Sequence, residues 1–187
     1  MTDLIFHHFK PVEEYLLWVP GDRGERLRQF HSVNWRFNEA RGSSHNHQWW
    51  EGGYRDHLTH MLNLAEMMIS SMVYQSVPKP DWGNLVLAIY FHDIEKLFKY
   101  AGDGEWAIGK MDFLTKVLPE TFKLTLPQEV LDAIKYAHGE GDDYRKDKRV
   151  MNPLGAIVHA ADILSARWLF DRRVHEGKLE SVSLDRA

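Results

Sequence analysis

The chain has 187 residues, 44% of them hydrophobic, which is enough for one packed domain and excludes a disordered tail or a disulfide-stapled mini-protein. It has no cysteine and 11 histidines, so disulfides, thiolate zinc sites and iron–sulfur clusters are excluded and any metal must be held by imidazole and carboxylate. The net charge of −4 argues against a broad electrostatic footprint for duplex nucleic acid.

The first stretch carries Asp3, His7, His8, Lys10, Glu13 and Glu14 and has no signal-peptide apolar core. No window approaches the roughly 18 uninterrupted apolar residues of a membrane span. A cytoplasmic protein without membrane contact is expected. Glycine and proline fall at punctuation points, among them Pro20-Gly21, Gly42, Gly52-Gly53, Pro78, Gly102, Gly104, Pro127, Gly139 and Pro153, with no linker between them. One domain over 1–187 is the simplest account: a helical extension within 1–43, helical over roughly 22–40, a core over 44–170 and a tail over 171–187.

Within the core, the spacing predicts a helix over 54–74 with Met61, Leu64, Ala65, Met68 and Met72 on one face and His57 inside the stripe. Asp81 can cap a helix through Leu85-Val86-Leu87-Ala88-Ile89-Tyr90-Phe91, a run apolar on every side and therefore central, with His92-Asp93 directly after it. Pro127 and Glu129 suit the first turn of a helix whose face is Val130, Ile134 and Ala137; Gly139 stops it, leaving His138 at the end. Asn152 as cap and Pro153 at the first position open a last helix with Leu154, Val158, Ala161, Ser165 and Leu169 inward and Asp162 beside them. Arg172-Arg173 and the segment from Glu176 read as a helix end fraying into solvent. Periods of two are scarce, so the fold class is all-α, a helical bundle.

Helical geometry thus sends His57, His92, Asp93 and Asp162 toward one core. A buried carboxylate without a partner costs several kcal/mol, so each needs a cation or several donors. Two imidazoles and two carboxylates suit a first-row divalent metal. Periodicity leaves open whether His92 and Asp93, about 100° apart on an ideal helix, share one ion. Asp56 reads as a cap or a solvated acid.

The order His57, then Tyr90-Phe91-His92-Asp93-Ile94-Glu95-Lys96, then His159-Ala160-Ala161-Asp162 resembles the H…HD…D signature of HD-domain metal-dependent phosphohydrolases. The stretch His45-Asn46-His47-Gln48-Trp49-Trp50-Glu51-Gly52-Gly53 before His57 resembles the histidine pair and glycine turn of the branch that includes 3′-to-5′ exoribonucleases and small bacteriophage-type HD proteins. The resemblance implies an HD-domain helical bundle in which His57, His92, Asp93 and Asp162 hold one divalent ion, of which Mn, Mg, Co, Ni, Fe and Zn are not distinguished. His60 is the rival of His57 for the first ligand. A second metal would be held through His138, although the fuller set of intervening histidines is missing; His138 suits substrate contact or proton donation equally well. Lys96 matches the lysine of the HDxGK variant and would neutralise phosphoryl charge. Glu95 stands where glycine is common and reads as a general base, an outer partner or a surface acid.

His45, His47 and Trp49 read either as the mouth and aromatic wall of a substrate site or as a loop pinned by aromatic burial. The expected activity is metal-dependent hydrolysis of a phosphoester or phosphoanhydride in a nucleoside mono- or triphosphate. Competing readings are a 3′-to-5′ exonuclease on short single strands, a cyclic nucleotide phosphodiesterase, a di-iron oxygenase and a non-catalytic metal-stabilised interaction protein. A homo-oligomer is compatible with all of them.

Overall fold

The computed structural model describes residues 8–71, 79–100 and 108–183. These are mainly helical, and their one sheet is a two-stranded hairpin. In chain order they form α1 (Val12–Leu16), α2 (Gly21–Val33), a 3₁₀ turn (Trp35–Asn38), α3 (Gly53–Ser71), α4 (Trp82–Phe91) and α5 (Lys96–Lys99). There follow α6 (Lys110–Asp112), a π turn (Phe113–Val117), α7 (Leu118–Phe122), α8 (Gln128–Lys135), a 3₁₀ turn (Gly141–Asp143), α9 (Pro153–Ile163), a π turn (Leu164–Trp168), β1 (Arg172–His175) and β2 (Lys178–Ser181).

Local chemistry accounts for the helix starts. Asp81 accepts the Asn84 amide at 2.8 Å and Asn152 accepts that of Gly155 at 2.6 Å, so both expected caps form. Every residue from Leu85 to Phe91 is buried, as a run without a polar face requires, and α4 is the central helix against which α3, α8 and α9 pack. The predicted stripe of α9 is buried through Leu154, Val158, Ala161, Ser165 and Leu169. Its last turn widens to a π turn where a regular helix is expected.

The N-terminal segment breaks at Asn34 between α2 and the 3₁₀ turn. Leu27 and Phe30 of α2 are fully buried, and Phe30 packs edge-on against Tyr90 and Phe122. This segment shares the hydrophobic core of the helices that follow. Met72, the expected helix end near 74, and the punctuation at Pro78, Gly102 and Gly104 lie outside the described residues.

The C-terminal expectation is corrected. Arg172–Ser181 is not a fraying helix end but a hairpin with Arg172 opposite Ser181 and Val174 opposite Leu179. Glu176 and Gly177 both have positive φ, the geometry of a two-residue hairpin turn. The Gly177 carbonyl accepts the Phe9 amide at 2.8 Å, so the hairpin is tied to the N-terminal segment. The strands are short and polar, which hid the period of two. Among the described residues, no helix is long and apolar enough to cross a membrane.

Candidate metal centre

Two helices and two helix ends bring the predicted side chains together. His57 projects from α3; His92 and Asp93 follow α4, where the helix gives way to turn bonds from Ile94 to Phe91 and from Lys96 to Asp93. Asp162 comes from α9 and His138 lies just beyond α8. His57 and His92 are fully buried and Asp93 is 2% exposed, whereas the His138 side chain is 56% exposed and so meets solvent.

His57 Nε2 stands 3.3 Å from His92 Nε2 and 3.3 Å from Asp162 Oδ1; His92 Nε2 is 3.3 Å from Asp93 Oδ2 and 3.9 Å from Asp162 Oδ1. His138 Nε2 lies 3.2 Å from Asp93 Oδ1 and 3.9 Å from Asp162 Oδ2. Atoms that bind a common first-row ion at about 2.0–2.2 Å stand roughly 3–3.6 Å apart, so the closest of these separations have the span of a ligand set. Two triads have ligand atoms all within 4.8 Å of one another, His57 with His92 and Asp162, and His92 with Asp93 and His138. They share His92, which is why adjacent His92 and Asp93 can serve one centre.

Protonation sharpens the fit. Burial lowers His57 to about 3, against the opposing pull of Asp162, so the ring is neutral at neutral pH. Burial would raise Asp93, but His92, His138 and Lys96 around it hold its carboxyl well below the usual range. Burial would likewise raise Asp162, and contact with His57 and the neighbouring His92 keeps it low instead. His92 Nδ1 donates to the Ile89 carbonyl at 2.7 Å, which turns Nε2 toward the cluster. Two ionised carboxylates therefore converge on the imidazoles of His57, His92 and His138, with Lys96 2.6 Å from Asp93 Oδ2. A cation fits this donor set.

The remaining candidates separate. His60 is buried, but its ring contacts Phe9, Gln48 and Ser165 and it belongs to neither triad. Glu95 has its ion contact with Lys110, at 4.0 Å, and its Oε2 is buried without a hydrogen-bond partner. His47 packs on His57 with ring centroids 5.2 Å apart, and burial lowers its pKa. His45 on the same loop is exposed. Trp49 is partly buried edge-on against Trp50, and Trp50 Nε1 donates to Asp56 Oδ2 at 2.6 Å, the pinned-loop arrangement. Asp56 is consequently neither a cap nor solvated: it is 9% exposed and also accepts the Val174 amide from β1 at 3.2 Å.

Three residues at this centre were not singled out by sequence reasoning. Lys110 donates to the His92 carbonyl at 2.6 Å, placing a second ammonium at the helix end that carries His92 and Asp93, with no sequence motif to signal it. Ser165 Oγ lies 2.8 Å from His57 Nδ1, and Gln48 is wholly buried behind it; an inward serine on the α9 stripe and a glutamine inside the histidine loop were the available signals. Comparison with known protein families, curated proteins and solved structures gives no match.

Proposed function

We propose that the protein is a metal-dependent phosphohydrolase of the HD-domain type, acting on a phosphoester or phosphoanhydride bond of a nucleotide. The observation that carries this reading is the convergence of His57, His92, Asp93 and Asp162, in the order H…HD…D, with the Lys96 ammonium on Asp93. The hydrolase chemistry comes from the sequence resemblance; the donor set supports the metal. A divalent ion held by these four residues would supply Lewis acidity toward a phosphoryl oxygen and an acidified water.

The protein groups have separable tasks. Asp93 is shared between the ligand set, Lys96 and His138, so it can orient a nucleophilic water through its second oxygen. The Lys96 side chain is 14% exposed, so its ammonium is held close to the substrate side while remaining desolvated enough to stabilise phosphoryl charge. His138, at the solvent-facing edge, can carry a proton to the leaving oxygen. Because the two triads meet at His92, with Asp93 next to it in the chain, a single shared ion is the reading adopted, with His138 as acid and not as ligand. A nucleotide fits better than a long strand because the chain is net acidic at −4.

The test is metal analysis of the purified protein, followed by hydrolysis assays with nucleoside mono- and triphosphates, cyclic nucleotides and short single strands. Phosphate release from a nucleotide with one divalent metal, lost in Asp93→Ala, is the expected result. Turnover of none of these with any divalent metal would leave a metal-binding protein without this activity.

A further inference from the structure

We propose that Gln48 and Ser165 are positioning residues of the metal centre, which together set the ring nitrogen that carries the proton in His47 and in His57. Nε2 is then left as the acceptor of each ring. The inference rests on the metal reading of the cluster and not on the reaction catalysed.

Gln48 occupies an expensive position. It is fully buried and its φ is +40°, a region that L side chains rarely adopt. Two glycines make room for it: a Cβ on Gly53 would collide with the Gln48 carbonyl and one on Gly42 would press on the Gln48 Cβ. The Gln48 amide reaches the π turn that ends α9. Its Nε2 lies 2.8 Å from the Leu169 carbonyl and 3.1 Å from the Ser165 carbonyl, and since both only accept, this end of the amide is the NH₂.

The other end then fixes His47. Gln48 Oε1, which can only accept, is 2.7 Å from His47 Nδ1, so that nitrogen carries the ring proton. The imidazole that packs on His57 is therefore the Nδ1–H tautomer, with Nε2 unprotonated. The carbonyls that Gln48 holds belong to the π turn and the residue after it, so the amide is tied to the widened end of the helix that carries Asp162.

Ser165 does the same for His57. Its Oγ is 2.8 Å from His57 Nδ1, while its own proton has outlets at His60 Nδ1, 3.4 Å away, and at the His57 carbonyl, 3.5 Å away. The hydroxyl can therefore accept from His57 Nδ1–H, which frees His57 Nε2 for the ion. His60 Nδ1 can serve as the outlet because the two Gln48 NH₂ protons go to the Leu169 and Ser165 carbonyls, which leaves this nitrogen to the hydroxyl.

Long-range proton–nitrogen NMR of the histidine rings, with Co(II) titration of the metal-free protein, tests this directly. The wild type should show His47 as the Nδ1–H tautomer before any metal is added, and Gln48→Met should lose that preference. Ser165→Ala should weaken Co(II) binding about 10–100-fold and shift the Co(II) absorption bands, with Ser165→Thr recovering most of the affinity. His47 protonated at Nε2 in the wild type, or Ser165→Ala with wild-type affinity and spectrum, would overturn the proposal. A wild type that binds no Co(II) would instead overturn the metal reading. Melting of each metal-free variant separates a lost fold from a lost ligand orientation, and His47 remains readable in Gln48→Glu, which keeps the acceptor, if Gln48→Met does not fold.

Discussion

Asp56 and His57 are neighbours on α3 and both are buried, yet they meet opposite surroundings. Asp56 is met by donors, the Trp50 indole at 2.6 Å and the Val174 amide at 3.2 Å, which tie the histidine loop and the hairpin to the helix. His57 is met by acceptors, Asp162 Oδ1 and His92 Nε2, each at 3.3 Å. The first is a completed polar contact and the second is incomplete without a cation. Burial of a charged residue therefore does not mark a site; the balance of donors and acceptors around it does.

That contrast predicts different responses to removal. The largest effect is expected for Asp93→Ala, which should lower kcat/KM on the nucleotide by on the order of 10³-fold or more, as loss of several kcal/mol of electrostatic stabilisation requires. Its check is single-turnover hydrolysis at saturating metal; a tenfold or smaller loss would remove Asp93 from the centre. Metal itself should raise stability by about 2.7 kcal/mol at a concentration one hundred times its Kd, read as a shift of the urea midpoint, and Asp162→Asn should abolish most of that gain.

Asp56→Ala should behave in the reverse way. It leaves a buried indole N–H and a strand amide short of an acceptor, at a cost of about 1–3 kcal/mol that is the same with and without metal. Equal urea shifts in both states, with unchanged Co(II) affinity, are the expected outcome. A loss of metal affinity larger than the loss of stability would join Asp56 to the centre and dissolve the contrast.

The mildest test uses pH. Burial lowers His60 to about 3, so between that value and its ordinary 6.5 the unfolded chain binds a proton that the folded chain does not. Stability from this residue is present above pH 6.5 and is lost as pH falls toward 3, with a slope near pH 5 of about 1.4 kcal/mol per unit. His60→Leu should flatten the acid limb of the metal-free stability profile by about one proton, and an unchanged limb would show that His60 is protonated in the fold. His57, lowered to about 3 for the same cause, contributes in the same direction and remains in the variant.

Much of the arrangement was legible because it follows local rules. Asp81 and Asn152 had cap chemistry at the correct offsets, and both bonds form. The apolar run before His92 had no polar face and could only be central. His57 and Asp162 sat on apolar stripes, where helical periodicity carried them into contact. The hairpin was not legible because Arg172–His175 and Lys178–Ser181 are polar and short, and their pairing gains stability from contacts with Phe9 and Asp56 far away in the chain. Lys110 was not legible because 18 positions separate it from the carbonyl it meets.

The sequence by itself determined the principal helices α3, α4, α8 and α9, where several of them start and which titratable side chains are carried inward, since these depend on spacing and on neighbours a few residues away. Only the tertiary structure decided which buried polar groups found donors. His60 and Asp56 resembled His57 in burial and helix, and the partners that distinguish them come from the histidine loop, α4, α9 and β1. Whether an acceptor is satisfied depends on distances between distant parts of the chain, and no local pattern encodes those.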